Sequence, residues 1–147
     1  MDFNIEPFSN RHVKPAAQLE KHVFSDEPWS ESAFESELSL PTAVDFAAVI
    51  NDGLEGYIIT SCVMDQACIN NFAVSFECRN KGIGTALLNT ALSELKHRGA
   101  RSVALEVRQS NESAKKLYIK AGFETVGVRK NFYKFPAEDA CLMVLNF

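Results

Sequence analysis

Arg79 and Lys81 stand beside Gly82-Ile83-Gly84, where a strand-like stretch gives way to a helical one. Two cations and two residues without a Cβ at a helix start suit an anion. Free backbone N–H groups and the positive end of the helix dipole point there, and glycine lets a phosphate come close. The competing explanation is tight packing of a helix on a sheet. Further on, Glu106 is the lone charge in Val103-Ala104-Leu105-Glu106-Val107, which reads as a strand buried on both faces. Partial burial would raise its pKa and make it a better base near neutral pH. A structural pairing with Arg108 or a nearby lysine accounts for it equally well. Tyr118 shares a helical stripe with Ala114, Leu117 and Ala121, the pattern of a core tyrosine.

The two best-known phosphate motifs do not fit. A dinucleotide fingerprint needs a third glycine where Gly82-Ile83-Gly84-Thr85-Ala86-Leu87 has Leu87, and it belongs after a first strand, not a fourth. A P-loop ends in Gly-Lys-Ser/Thr, which is absent. The redox and NTPase readings both fall.

The elements that must position these residues follow from periodicity and turn chemistry. Phe3 to Phe8 alternates as a first strand. Pro15 opens a short helix running to Phe24, and Ser30 caps a second through Phe34 and Leu38. Strands over 42–50, 56–64 and 67–74 follow, the first two joined by Asn51-Asp52-Gly53. A helix from about Gly82 to Arg98 has the stripe Gly84, Leu88, Ala91, Leu92 and Leu95, and Gly99 stops it. Then come a strand over 102–107, a helix over 111–121, and strands over 123–128 and 141–147. The order β-α-α-β-β-β-α-β-α-β-β predicts one α/β domain over residues 1–147, with a mixed sheet, an antiparallel start and at least one parallel pair.

Bulk composition agrees. A chain of 147 residues, 46% hydrophobic with 11 Phe, suits one core. No apolar run approaches the roughly 20 residues that span a bilayer, and the N-terminus lacks a signal-peptide pattern. The expectation is a soluble, cytoplasmic protein. Four cysteines without C-x-x-C pairing and three scattered histidines argue against zinc. Cys62, Cys68 and Cys141 lie in apolar strand context, as small hydrophobes of a reducing compartment. The net charge of −4 divides unevenly: residues 1–60 carry 11 acids and 3 bases, residues 61–147 carry 8 acids and 12 bases. No dense basic stripe suggests nucleic acid. The division suits an anionic ligand on the second part and a cationic one on the first.

The pattern Arg79-x-x-Gly82-x-Gly84 between a central strand and a helix resembles the signature of the GNAT acetyltransferases. The likeness sharpens toward the bacterial ribosomal-protein-alanine N-acetyltransferases (RimI type) at Pro28-Trp29-Ser30, at NFAV over 71–74, at LEVRQSNESAKKLY over 105–118, at AGF over 121–123 and at NFY over 131–133. The resemblance implies a GNAT fold of about four helices with a splayed parallel strand pair, and acetyl-CoA as acetyl donor with no metal. Arg79, Asn80, Lys81, Gly82, Ile83, Gly84 and Thr85 would cradle its pyrophosphate. Phe72, Ala73 and Val74 would pair with the pantetheine through their backbone, and Asn111 would contact the coenzyme besides capping its helix.

Acetyl transfer requires a held thioester, a neutral amine and a proton for the departing thiolate. The resemblance implies Glu106 as general base and Tyr118 as general acid. It sets Trp29, otherwise a hydrophobic staple, and Tyr133 beside the acceptor. Asp26, Glu27 and Glu31 would draw in a basic peptide. The implied reaction acetylates the N-terminal alanine of the eighteenth small-subunit ribosomal protein by direct attack in a ternary complex, with no cysteine near Glu106 and Tyr118 by sequence. A lysine, polyamine or small-molecule amine as acceptor, and an idle CoA-binding module, remain alternatives. No direct contact with nucleic acid or membrane is expected. Two stretches depart from these relatives: Ser75-Phe76-Glu77-Cys78 replaces the usual Asp-Pro-aromatic, leaving Cys78 open to oxidation, and Ser25-Asp26-Glu27 looks inserted.

Overall fold

Turn residues punctuate the chain in the computed structural model, which describes residues 2–24 and 27–147. Asn51 and Asp52 both take positive φ, 50° and 65°, as a tight hairpin requires. In order, the elements are β1 (Asn4–Pro7), α1 (Asn10–Val23), α2 (Glu31–Leu38), β2 (Ala43–Ile50), β3 (Gly53–Val63) and β4 (Gln66–Val74). A 3-10 turn (Phe76–Cys78) leads to α3 (Ile83–His97), β5 (Ser102–Arg108), α4 (Glu112–Lys120), β6 (Glu124–Lys134) and β7 (Ala137–Asn146). The expected order is therefore the observed one.

Among the described residues, seven strands form one mixed sheet, β1-β2-β3-β4-β5-β7-β6, in which only β4 and β5 run parallel. Neighbouring strand residues point to opposite faces. Ala47, Tyr57 and Ile59 join Phe8, Val13, Ala16 and Phe34 beneath α1 and α2. Ala48, Ile58, Val103, Leu105 and Met143 join Ile83, Leu87, Leu88, Leu95 and Tyr118 on the α3/α4 side. The fold is thus helices, sheet, helices, and each strand residue's parity decides which core it enters.

Several expected boundaries move. Helix α1 starts at Asn10, well before Pro15, because a cap precedes it. His12 Nδ1 accepts the Ser9 N–H (2.9 Å) and Nε2 lies 2.8 Å from Glu6 Oε1. Burial, helped by the Arg11 charge, lowers the His12 pKa, and the tautomer satisfying both bonds carries its proton on Nε2. Ser9, His12 and Glu6 are thereby ordered like a nucleophile, base and acid. Ser9 N–H, at 2.9 Å, is the nearer donor to the Nδ1 lone pair that Ser9 Oγ approaches at 3.3 Å, so the trio is a cap. Strands β6 and β7 also outrun the expected 123–128 and 141–147, meeting at Phe135-Pro136.

The cysteines exchange places relative to expectation. Cys68, assigned to the interior, is exposed, and Cys78, expected at the surface, is buried. Strand β4 carries a bulge opposite Ile59/Thr60, and Cys68 faces the side of the sheet that no helix covers at β5. Cys78 closes a knot instead. Ser75 Oγ and Cys78 Sγ both donate to Glu55 Oε2 (2.6 and 3.5 Å), and Ser75 N donates to Glu55 O (2.8 Å). The unusual Ser-Phe-Glu-Cys stretch is therefore a defined bridge from β4 toward α3, bound back onto β3.

One half-buried carboxyl is only partly satisfied. Asp45 Oδ1 accepts Thr60 N–H (3.1 Å), while its buried Oδ2 has no partner among the described residues. Burial pushes the Asp45 carboxyl up to about 7 against the help of that N–H. A carboxyl raised on folding favours the protonated state. Its cost to stability is absent below the unfolded value near 3.9, grows as pH rises, and is complete above about 7. Asp45→Asn should therefore raise Tm by several degrees at pH 8, on the order of 1–2 kcal/mol, and by little at pH 5. Thermal melts at the two pH values check this; equal shifts would remove the buried-charge explanation.

Candidate active site

Parallel pairing between β4 and β5 covers only Gln66–Cys68 against Ser102–Ala104. Beyond it β4 stays paired to β3 and β5 to β7, so residues 69–74 and 105–108 face each other across a splayed gap. The expected splay is present.

At one end lies the glycine turn. Gly82 is left-handed (φ 86°), caps α3 without any side-chain hydrogen bond, and Asn80 is also at positive φ (62°). The first N–H groups of α3 therefore point outward without side-chain partners. Arg79 Nε donates to Val74 O (3.2 Å) and its guanidinium stacks 4.3 Å from the Phe76 ring, while Lys81 is exposed.

At Gly84 packing alone does not require a glycine. A Cβ there would meet Leu117 Cδ2 at 3.5 Å, and Phe72 Cζ and Val74 Cγ2 at 3.8 Å, all ordinary contacts. The fold itself has room for alanine, which helices favour over glycine by about 1 kcal/mol. What glycine keeps open is the space bordered by Phe72 and Val74 of β4 and Leu117 of α4, so the residues present fit a ligand lying along the gap. Beside it, Thr85 and Leu117 help line a groove between α3 and α4 that also holds Lys120. Gly84→Ala should stabilise the free protein by roughly 0.5–1 kcal/mol. The same change should shrink the Tm rise given by acetyl-CoA. Thermal melts with and without acetyl-CoA check both, and an undiminished rise would rule the cradle out.

Tyr118 borders the gap from the α4 side. Its ring is buried, 7% exposed, between Phe72 (6.2 Å) and Phe123 (5.6 Å). Its hydroxyl makes no hydrogen bond among the described residues. Burial pushes the phenol pKa well up, and nearby Tyr133 adds to it, so the proton is firmly held at neutral pH. Asn111 caps α4 as expected, its Oδ1 accepting Ala114 N–H (3.2 Å).

Glu106 departs from expectation. β5 is buried on one face only, through Val103, Leu105 and Val107, because α3 and α4 cover that side and α1 and α2 stop short of β5 on the other. Glu106 stands on the open face with 34% of its side chain exposed. It pairs with Arg129 Nη1 (3.3 Å) on β6, not with Arg108. The exposed Cys68 lies near it: burial, then the Glu106 charge, raises the thiol pKa. A cysteine does therefore neighbour Glu106, which β4–β5 pairing arranges and sequence order hides.

Trp29 packs against Phe34 (5.2 Å, rings tilted by 60°), the staple contact at the start of α2, and Ser30 Oγ accepts Ala33 N–H (3.1 Å). Tyr133, on β6, lies under the Arg108 guanidinium at 4.2 Å. Of the acidic trio, Glu27 and Glu31 are exposed, whereas Ser25 and Asp26, with the apparent insertion, lie outside the described residues.

Sequence reasoning missed Glu20. It is 3% exposed, accepts Asn71 Nδ2 (2.8 Å), the Tyr57 hydroxyl and Trp29 N–H (3.0 Å), and so fastens the Trp29 segment to β3 and β4. The signal was present: Val13, Ala16, Ala17 and Glu20 form one i, i+3, i+4, i+7 stripe, and a charge on it needs partners. Among the described residues no His/Cys/Asp/Glu group could hold a metal ion, and no helix is long and apolar enough to cross a membrane.

Comparison with known proteins gives this architecture its relatives. Residues 13–123 match the model of the Acetyltransferase (GNAT) family. The chain is 37% identical over 126 residues to the [ribosomal protein bS18]-alanine N-acetyltransferase of Escherichia coli K12, covering 84% of this chain and 82% of that one. It is 37% identical over 150 residues to the enzyme of the same name from Salmonella typhimurium LT2, covering 96% and 95%. The crystal structure of the ribosomal-protein-S18-alanine N-acetyltransferase from Escherichia coli superposes with a TM-score of 0.89 at 33% identity, over 99% of this chain and 94% of that one. Arabidopsis thaliana NAA60 in complex with acetyl-CoA shares the fold at 20% identity, TM-score 0.90, over 99% of both chains.

Proposed function

The chain belongs to the GNAT acetyltransferase family, and on that premise we propose that it transfers acetyl from acetyl-CoA to the N-terminal alanine amine of ribosomal protein bS18. It acts as one domain over residues 1–147, in the cytoplasm where that acceptor is made. The observation that carries the reading is the arrangement of two groups about the β4–β5 gap. Tyr118 belongs to the α3/α4 face and Glu106 to the opposite, open face. The gap is a passage between them, so a thioester held on one side meets an amine arriving from the other.

Acetyl-CoA supplies the carbonyl that the amine attacks and the thiolate that leaves. Backbone N–H groups of residues 82–85, with Arg79, Asn80 and Lys81 at the rim, hold the pyrophosphate. Phe72, Ala73 and Val74 offer an unpaired strand edge to the pantetheine amides, and Asn111 borders the same channel. Glu106 accepts the proton that the amine must lose. An α-amine near 7.7–8.0 asks far less of a base than a lysine near 10.4, which favours a solvent-facing carboxylate acting on a chain terminus. As the new C–N bond forms and the C–S bond breaks, Tyr118 gives its phenolic proton to the departing sulfur. Transfer is direct: the raised thiol pKa of Cys68 makes it a poor acyl carrier.

On the acceptor side, Trp29 and Tyr133 flank the approach to Glu106. The acidic first part of the chain builds α1 and α2 on this face, while α3 and α4 come from the basic second part. That polarity supports a basic peptide on one side and an anionic coenzyme on the other. Incubation with acetyl-CoA and basic peptides beginning with Ala, free or N-terminally blocked, tests the reading by mass spectrometry. Acetyl on the α-amine of the free peptide alone is expected. Acetyl on lysine Nζ, or on no peptide, would overturn the acceptor assignment.

A further inference from the structure

The β6–β7 hairpin that carries Tyr133 has an interrupted ladder. Pairing runs from Glu124 to Arg129, breaks, and resumes only at Tyr133↔Glu138 and Lys134↔Ala137. Residues 130–132 are displaced from the ladder opposite Asp139, with Asn131 at positive φ (54°) and its N–H on Asp139 Oδ1 (2.8 Å). Such a break leaves the tip free to pivot unless something outside the hairpin fixes it.

Arg108 fixes it. This residue lies on β5 two positions beyond Glu106, on the same face. Its Nη1 donates to Pro136 O (3.0 Å) and Glu138 Oε1 (3.2 Å), and its Nη2 donates to Phe135 O (3.2 Å). The guanidinium plane meanwhile covers the Tyr133 ring at 4.2 Å. Glu138 carries the tie onward, its Oε2 accepting Ser110 N–H (2.6 Å) just before the Asn111 cap of α4. These bonds to Ser110 and Arg108 hold the Glu138 carboxyl below its usual range.

We propose that Arg108 is a positioning residue of the acceptor side: it holds Tyr133 and the hairpin tip at a fixed offset from the strand bearing Glu106. The inference rests on the acceptor reading above and deepens it. The requirement is geometric. A planar fork reaches two carbonyls and a carboxylate at once and stacks on an aromatic ring; an ammonium of equal charge supplies one point and no plane. Orientation of the amine is the property at stake, since a small misplacement of reacting groups is costly.

The test is Arg108→Lys, with Tyr133→Ala and the double variant, assayed with an Ala-initiated basic peptide and acetyl-CoA. Arg108→Lys should lower kcat/KM for the peptide about tenfold, leave the acetyl-CoA KM within about twofold, and speed amide exchange over 130–138 while other strands are unchanged. The double variant should be no worse than Tyr133→Ala, because the two residues act as one unit. Unchanged peptide kinetics in Arg108→Lys, or fully additive losses, would overturn the proposal. So would a loss of both KM values together with faster exchange throughout, which marks general destabilisation. If the wild-type protein acetylates no amine, the functional reading has failed. The exchange arm then decides alone whether Arg108 braces the hairpin.

Discussion

Tyr118→Phe should cost about 10²–10⁴ in kcat while leaving Tm unchanged or slightly raised. The two halves of this expectation rest on one observation. The phenol is buried among Phe72, Phe123 and the α3/α4 core, so the ring does the packing. Its hydroxyl has no hydrogen-bond partner among the described residues, so its removal forfeits no bond within the protein. A merely structural tyrosine would predict the opposite, a fall in Tm with activity following. Steady-state rates and thermal melts on the same preparation separate the two, and a kcat within a few-fold of wild type would end the acid assignment. Burial also explains why a phenol can serve: a proton that solvent cannot remove at neutral pH is still present when the thiolate forms.

Glu106→Gln is expected to lower kcat by a similar factor, about 10²–10⁴ at pH 7, with the acetyl-CoA-induced rise in Tm intact. The ion pair it breaks, with Arg129, is largely exposed and is worth at most about 1 kcal/mol. The sign of the pH dependence distinguishes a base from a binding group. As pH rises past the α-amine pKa near 7.7–8.0, the acceptor is already neutral and a base matters less. The deficit should therefore narrow between pH 7 and 9. A deficit constant across that range would remove proton abstraction from Glu106 and leave it a contact residue.

Element order was legible because turn chemistry is local: Asn51-Asp52-Gly53, Ser30 and Gly99 each act within a few residues. The glycine turn was legible for the same reason. Facial burial was not. The strand around Glu106 looks buried on both sides as a string, and only the span of α1 and α2 across the other strands decides that one side is bare. Cys68 and Cys78 exchanged their expected environments through contacts 20 or more residues away, the β4–β5 pairing for one and Glu55 for the other. The early start of α1 depended on His12 as a capping partner, a role more often held by Glu or Gln. Arg108 read as a neighbour of Glu106, but its partners come from a hairpin about 28 positions on.

The splayed pair has a consequence for the size of molecule the protein can serve. An opening that runs through a sheet has two mouths, and what waits at one does not obstruct the other. On the proposed function, a bulky acceptor would need only to thread its first residues inward while its body stays outside. On the same proposed function, the spent coenzyme would withdraw by the far mouth, without the modified chain having to leave first. Such a layout separates the traffic of a small, common donor from that of a large, scarce acceptor.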